Sequence, residues 1–302
     1  ATAEPQDTTP AMKEIFKGVI DNVGTCLTYN QTWNKRKEMQ DASTMEFVDK
    51  HFNSFTLENE MKPDATLVQS QCNGTNIGVS LKNAASIVDF CVNNKIAMRG
   101  HTLVWHSQTP LWFFKENFNA NGNWVSATVM DQRMESYIKN MFDAIKTQYP
   151  DLNLYAYDVA NECISDDSNR TANNGGTREP GENVSGQSPW VQVYGSNSFV
   201  EHAFTYARKY APEGCALYYN DYNEYWDHKR DAIYSMCKSL YEKGLLDGIY
   251  VVVRTFPYPV DKKLGITIPK KVVCVKNTEI LKNYKKIEMT KEEYNKMKLM
   301  YK

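Results

Sequence analysis

Glu162 is the residue of this sequence best placed to do chemistry. It sits in the run Asp158-Val159-Ala160-Asn161-Glu162-Cys163, which follows four residues with the character of a buried strand, Leu154-Tyr155-Ala156-Tyr157. A carboxyl group at the C-terminal end of a strand can be partly desolvated, which raises its pKa toward that of a general acid. The same residues admit a plainer reading, because Asn161, Ser165, Asp166 and Asp167 all suit the start of a helix. Recurrence favours chemistry. Clusters of the same character stand at three other strand ends: Glu58-Asn59-Glu60-Met61-Lys62, then His101 with Trp105-His106-Ser107-Gln108, and Asn220-Asp221-Tyr222-Asn223. Each mixes hydrogen-bonding side chains, and two of them add Trp or Tyr. Sugars need that mixture, since hydroxyls take amide, carboxylate and ammonium partners while C–H faces take aromatic rings.

Other chemistries lack their residues. No Cys/His set has metal-ligand spacing; His101 and His106, five apart on an extended segment, are expected to point to opposite sides. No G-x-S-x-G and no Walker loop occurs. Neither metal nor cofactor is therefore expected.

The elements that must position these clusters alternate. Amphipathic stretches at Met12–Asp21, Thr44–His51, Leu81–Asn93, Val125–Gln148, Ser198–Tyr210 and Lys229–Lys243 read as helices. Between them Val23–Tyr29, Ser54–Leu57, Ala97–Trp105, Leu154–Ala160, Ala216–Asn220 and Gly248–Val253 read as strands. Strands separated by helices imply parallel βα units with right-handed crossovers. An open doubly wound sheet should carry a Gly-rich phosphate loop after its first strand, and Gly24-Thr25-Cys26 does not supply one. The pattern favours an α/β fold of the (β/α)8 barrel type, complete or lacking strands, whose active face is the C-terminal one. The polar stretch from Asp166 to Asn197 follows Glu162 directly. It is expected to lie over that face, or to be a tolerated surface loop.

The 302 residues are 42% hydrophobic and 24% charged, an ordinary globular composition with a formal net charge of −1. That charge gives no general push toward nucleic acid. There is no run of about 18 apolar residues, the signature of a membrane span. The opening ATAEPQDTTP has no apolar core of a signal peptide and suits a mature N-terminus or a linker. Seven cysteines (Cys26, Cys72, Cys91, Cys163, Cys215, Cys237, Cys274) form no C-x-x-C pair, and their odd number leaves at least one thiol unpaired. Glycosylation sequons at Asn30, Asn73, Asn169 and Asn183 give slight support to secretion. The texture changes near Gly248. Residues 249–302 hold 13 Lys and Arg against five Asp and Glu, whereas the first 248 residues hold 22 against 31. The expected organisation is a polar tail over 1–11, a barrel body over 12–248 and an atypical basic segment over 249–302, with Met289 to Lys302 as a helix.

The segments Glu58-Asn59-Glu60-Met61-Lys62, Arg99-Gly100-His101-Thr102-Leu103-Val104-Trp105-His106-Ser107-Gln108, Asp158-Val159-Ala160-Asn161-Glu162 and Asn220-Asp221-Tyr222-Asn223 together resemble glycoside hydrolase family 10, the retaining endo-β-1,4-xylanases. Four motifs in order cover roughly the first four-fifths of the chain. The resemblance implies a (β/α)8 barrel with a xylan cleft and an extracellular monomer acting on xylan or xylo-oligosaccharides. It implies Glu162 as general acid/base and Asn161 as partner of the sugar's 2-hydroxyl. Glu58, Asn59 and Lys62 would hold the glycone side, His101 and Trp105 would frame the cleaved sugar with Gln108 nearby, and Tyr222 and Asn223 would lie on the aglycone side.

Tyr157 stands where the family usually has Trp. A larger departure concerns the second carboxylate that a retaining enzyme requires. The family places it in a Thr-Glu-Leu-Asp setting after the seventh strand, oriented by a Gln-Ser-His after the sixth, and the family's Trp motif at the eighth strand is also missing. Here the sixth strand runs on as Tyr250-Val251-Val252-Val253-Arg254. Thr278-Glu279 after the strand candidate Val272–Val275 is a remnant of the nucleophile motif, or Glu279 is a solvated charge in a Lys-rich tail. A six- or seven-stranded ring would leave an open edge, which residues 249–302 are expected to cover, unless that tail is disordered. Two functions remain open: hydrolysis with Glu162 and Glu279, or xylan binding without turnover. A glucan-cleaving barrel fits the motifs less closely.

Overall fold

The computed structural model describes residues 10–18, 20–29, 37–224 and 226–250. Six strands lie within them: β1 (Gly24–Leu27), β2 (Ser54–Leu57), β3 (Ala97–Trp105), β4 (Leu154–Asn161), β5 (Ala216–Asn220) and β6 (Gly248–Tyr250). They form one sheet in the order β1-β2-β3-β4-β5-β6, and every neighbouring pair is parallel. A doubly wound sheet reverses its strand order part-way, whereas a barrel adds each new strand beside the last. The unbroken order settles the choice in favour of the (β/α)8 class. The candidate seventh strand Val272–Val275, the expected cover over the sheet edge and Glu279 all lie outside the described residues.

The helices are α1 (Met12–Ile15), α2 (Ala42–His51), α3 (Pro63–Thr66), α4 (Ala85–Asn94), α5 (Ala127–Gln148), α6 (Ser168–Asn173), α7 (Pro189–Tyr194), α8 (Ser198–Tyr210) and α9 (Asp227–Glu242). Their cause is clearest in α5. Ser126 caps it by accepting from the Val129 amide at 3.3 Å. Met130, Met134, Tyr137, Ile138, Met141, Phe142 and Ile145, at helical spacing, form its buried stripe. Each such side chain contributes about 1.5–3 kcal/mol on burial. β4 is buried along nearly its whole length, as a parallel strand covered on both faces should be. Phe142 meets Tyr157 edge to face, with ring centroids 5.3 Å apart, and so packs α5 on β4.

Expected and observed elements differ mainly at their ends. α1 makes only one turn, because the chain leaves the helix toward Gly18, whose φ of +82° an L side chain rarely adopts. α4 starts at Ala85 rather than Leu81, since Ser80 Oγ accepts from the Lys82 amide and folds these residues into a turn. β1 is shorter than Val23–Tyr29 at both ends, and β4 runs one residue further, to Asn161. No disulfide links the six described cysteines.

Candidate active site

The C-terminal ends of β2, β3, β4 and β5 bring the four clusters together. After β2 the chain turns into α3, with Pro63 at its first position, so that Lys62 faces inward and is nearly buried. Its Nζ donates to Asn59 Oδ1 and to Gln108 Oε1, both at 2.8 Å. Gln108 Nε2 also donates to Asn59 Oδ1 at 3.1 Å, which closes a triangle of side chains from two strand ends. Burial pulls the Lys62 pKa down, against the opposing charges of Asp64, Cys26, Glu58 and Glu162. The same Nζ lies 4.7 Å from the centre of the Trp105 ring.

Trp105 ends β3 and donates from Nε1 to Glu162 Oε2 at 3.0 Å. Glu162 is the first residue beyond β4 and has a φ of +51°. Its backbone is held from both sides: its amide donates to Asn220 O at 2.8 Å, and Arg178 Nε donates to its carbonyl at 2.7 Å. Burial raises the Glu162 pKa, and the charge of Asp221 adds to the rise. Asn161, 2% exposed, accepts at Oδ1 from Asn220 Nδ2 at 2.7 Å.

Below this rim His101 Nδ1 meets Asp158 Oδ2 at 2.8 Å, and Arg99 grips the same carboxylate through Nε at 2.9 Å and Nη2 at 2.6 Å. Burial works to raise the Asp158 pKa, but Arg99 and His101 outweigh it and hold the carboxyl below its usual range. Burial lowers the His101 pKa. A neutral His101 beside an ionised Asp158 must donate from Nδ1, because a carboxylate only accepts. His106, just past β3, takes different surroundings: burial, then Arg178 and Lys229, lowers its pKa to about 3.

After β5, Tyr222 lies under Lys229 Nζ, 3.9 Å from its ring centre. Burial and a hydrogen bond to Asp166 push the Tyr222 hydroxyl up to about 12. Asn223 has a φ of +57° in the turn that leads into α9. The stretch from Asp166 to Asn197 is tied to this face, as Arg178 reaches Glu162 and Trp190 Nε1 donates to Trp105 O at 3.0 Å. The plainer helix-start reading holds in part, since Asp167 accepts from the Asn169 amide at the head of α6.

One chain of contacts thus joins Asn59, Gln108, Lys62, Trp105, Glu162 and Asn161, with Glu58 within electrostatic reach of Lys62. His101 joins through Asp158, Arg99 and Asn220, and Tyr222 through Asp166 and Arg178. A cavity of about 450 Å³ lined by Lys13, Lys17, Asp21, Asn53 and Lys95 lies instead at the N-terminal ends of the strands, remote from all four clusters. Among the described residues no group of His, Cys, Asp and Glu could hold a metal ion. Sequence reasoning gave no role to Arg99, Asp158, Arg178, Tyr219 or Lys229. Arg99 and Asp158 did leave a signal, as opposite charges within two apolar strand runs. Lys229 and Arg178 left none, since one stands in a polar helix turn and the other in a polar insertion.

Comparison with known proteins agrees with this geometry. Residues 11–253 match the family described as Glycosyl hydrolase family 10. Endo-1,4-beta-xylanase Y of Acetivibrio thermocellus is 68% identical over 211 residues, covering 70% of this chain and 20% of that protein. The bifunctional endo-1,4-beta-xylanase XylA of Ruminococcus flavefaciens is 51% identical over 211 residues, covering 68% and 21%. The crystal structure of the CBM22-1 and GH10 modules of endo-1,4-beta-D-xylanase 10B from Clostridium thermocellum, complexed with xylohexaose, superposes with a TM-score of 0.74 at 61% identity, covering 79% of this chain and 45% of that one. The chain therefore spans about a fifth of the length of these two curated relatives. With a family match over most of its length and the four strand-end clusters converging on one carboxyl group, the chain belongs to glycosyl hydrolase family 10.

Proposed function

We propose that this chain hydrolyses internal β-1,4-xylosidic bonds of xylan with retention of anomeric configuration, Glu162 serving as general acid and then as general base. The observation that carries the reading is the Glu162 carboxyl itself. It is half-buried, held at Oε2 by the Trp105 indole, and shares one contact chain with the Lys62, Asn59 and Gln108 donors and acceptors. Burial keeps its proton until a leaving-group oxygen needs it. With Oε2 engaged, the transferable proton sits on Oε1. Once the aglycone has left, the Trp105 N–H stabilises the carboxylate that remains and orients it to take a proton from water.

Lys62, Asn59, Glu58 and Gln108 provide the ammonium, amide and carboxylate partners that sugar hydroxyls require, on the glycone side. His101 offers its second ring nitrogen beside the cleaved sugar, and Asn161 takes the 2-hydroxyl. Tyr222 and Asn223 line the aglycone side. The nucleophile is assigned to Glu279, a retaining mechanism needing its carboxyl about 5–5.5 Å from that of Glu162. A polymer does not cross a cell envelope, so the place of work is extracellular, and the chain acts as a monomer.

The test is reducing-sugar release from xylan by the full chain, alongside Glu162→Ala and Glu279→Ala, with NMR of the first anomer released. Hydrolysis with retention that either variant abolishes is expected. A chain that binds xylohexaose but releases no sugar is a binding protein instead. If Glu279→Ala keeps full activity while Glu162→Ala has none, the nucleophile is another residue.

A further inference from the structure

Behind the turn that carries Glu162 lies a buried chain of polar groups that the proposed chemistry does not use. Lys229 is fully buried in the first turn of α9. Its Nζ lies 2.9 Å from Asp221 Oδ1 and 2.6 Å from Asp166 Oδ1. Asp221, 2% exposed, also accepts at Oδ1 from the Tyr222 amide at 2.8 Å, and at Oδ2 from the Tyr219 hydroxyl. A carboxylate can only accept, so the Tyr219 proton must point at Asp221. That orientation turns the lone pairs of the Tyr219 oxygen toward Glu162's neighbours. They accept from the amides of Cys163 at 2.9 Å and Ile164 at 3.3 Å.

We propose that Asp221 is a positioning residue for Glu162: through Tyr219 it fixes the turn on which Glu162 stands, and it places a buried carboxyl group two hydrogen bonds away from that turn. Two parts follow from one carboxylate. The first is mechanical. Glu162 occupies a left-handed backbone conformation that costs a non-glycine residue stability, and the amides just beyond it need fixed acceptors to keep it there. The second is electrostatic. A like charge close by disfavours ionisation of a carboxyl group, and the effect is strong where water is excluded. Burial raises the Asp221 pKa and Lys229 works against that rise; shared with Asp166, Lys229 neutralises Asp221 only in part.

The other charged or titratable groups around Glu162 among the described residues come from every element packed on it. Lys62 follows β2, His106 follows β3, Cys163 adjoins Glu162 itself, and Arg178 belongs to the segment between β4 and β5. Around Asp221 stand Tyr219, Tyr222, Lys229, Cys163 and Cys237. Lys62, Arg178 and Lys229 are cations and oppose protonation of Glu162. Asp221 is thus the group whose neutralisation acts on Glu162 in the opposite sense.

This inference rests on the reading of Glu162 as the acid, but its test needs no turnover. Because the Trp105 indole N–H is hydrogen-bonded to Glu162 Oε2, its NMR resonance titrates with that carboxyl, and Glu162→Gln identifies the transition by abolishing it. In the full chain, Asp221→Asn is expected to lower the midpoint by about 1 pH unit. A midpoint equal to or above that of the parent chain overturns the electrostatic part. Tyr219→Phe keeps the Asp221 charge and removes the hydroxyl. It is expected to speed amide exchange at Cys163 and Ile164 about tenfold or more relative to β3 amides, the loss of one hydrogen bond being worth about a factor of ten. Unchanged relative exchange overturns the mechanical part, and decides the matter should Asp221→Asn not fold. A chain that releases no sugar from xylan but shows both effects loses the hydrolytic reading and keeps this one.

Discussion

Arg178 lies 16 residues beyond Glu162 and donates from Nε to its carbonyl oxygen at 2.7 Å. Its Nη1 donates to Gly186 O at 3.1 Å, so one nearly buried guanidinium ties the insertion to the acid's own backbone. Removing it leaves a carbonyl with a lost partner and a left-handed Glu162 with weaker support. Arg178→Met should cost about 1.5–3 kcal/mol in urea unfolding, the range for hydrogen bonds from a charged donor. In xylan hydrolysis it should lower kcat more than it raises KM, because it disturbs the acid rather than the sugar contacts.

Lys62 makes a different prediction. Its Nζ is held at 2.8 Å by both Asn59 and Gln108 beside the Trp105 ring, and the proposed function gives it a sugar hydroxyl to bind. Lys62→Met keeps an unbranched apolar stem and removes the charged donor. Affinity for xylohexaose, measured by calorimetry on a Glu162→Gln background, should fall about 10- to 100-fold.

The pair of Arg99 and Asp158 is buried between β3 and β4, and breaking it from the cationic side leaves an uncompensated carboxylate. Arg99→Met should destabilise the fold by about 3–5 kcal/mol in urea unfolding. The sign of the pH dependence follows from the lowered Asp158 pKa. In the parent chain the group stabilises the fold above its ordinary value of 3.8, and this stability is lost as pH falls through the lower folded value. The variant should lose that contribution.

His106 acts in the opposite region of the titration. Its pKa falls from the ordinary 6.5 to about 3 on folding, so between these values the unfolded chain holds the extra proton. Stability should therefore decline as pH falls from 6.5, with this residue contributing about 1.4 kcal/mol per pH unit. Urea midpoints measured at a series of pH values should show a shallower acid limb in His106→Gln. His101, also lowered by burial, should account for part of what remains.

Much of the architecture is encoded locally. The strands Ser54–Leu57, Ala97–Trp105 and Ala216–Asn220 and the helix Ser198–Tyr210 stand where hydrophobic periodicity alone puts them, because alternation and helical stripes are properties of neighbouring residues. The strand-end clusters follow from the same rhythm. A polar group just past an apolar strand has to emerge at the rim, so Glu58, Lys62, Trp105, Gln108 and Glu162 fall on one face once the strands are parallel. The packing of distant segments settles the rest. Lys229 reads locally as a solvated lysine in a polar helix turn, yet it is fully buried against Asp166, 63 residues away, and Asp221. Arg178 is one arginine in a polar insertion until folding lays it on the Glu162 carbonyl. A buried charge finds its partner through the fold rather than through its neighbours in sequence. The strand-end clusters are thus written in short motifs, while the groups that hold Glu162 in place emerge only when the strand ends meet.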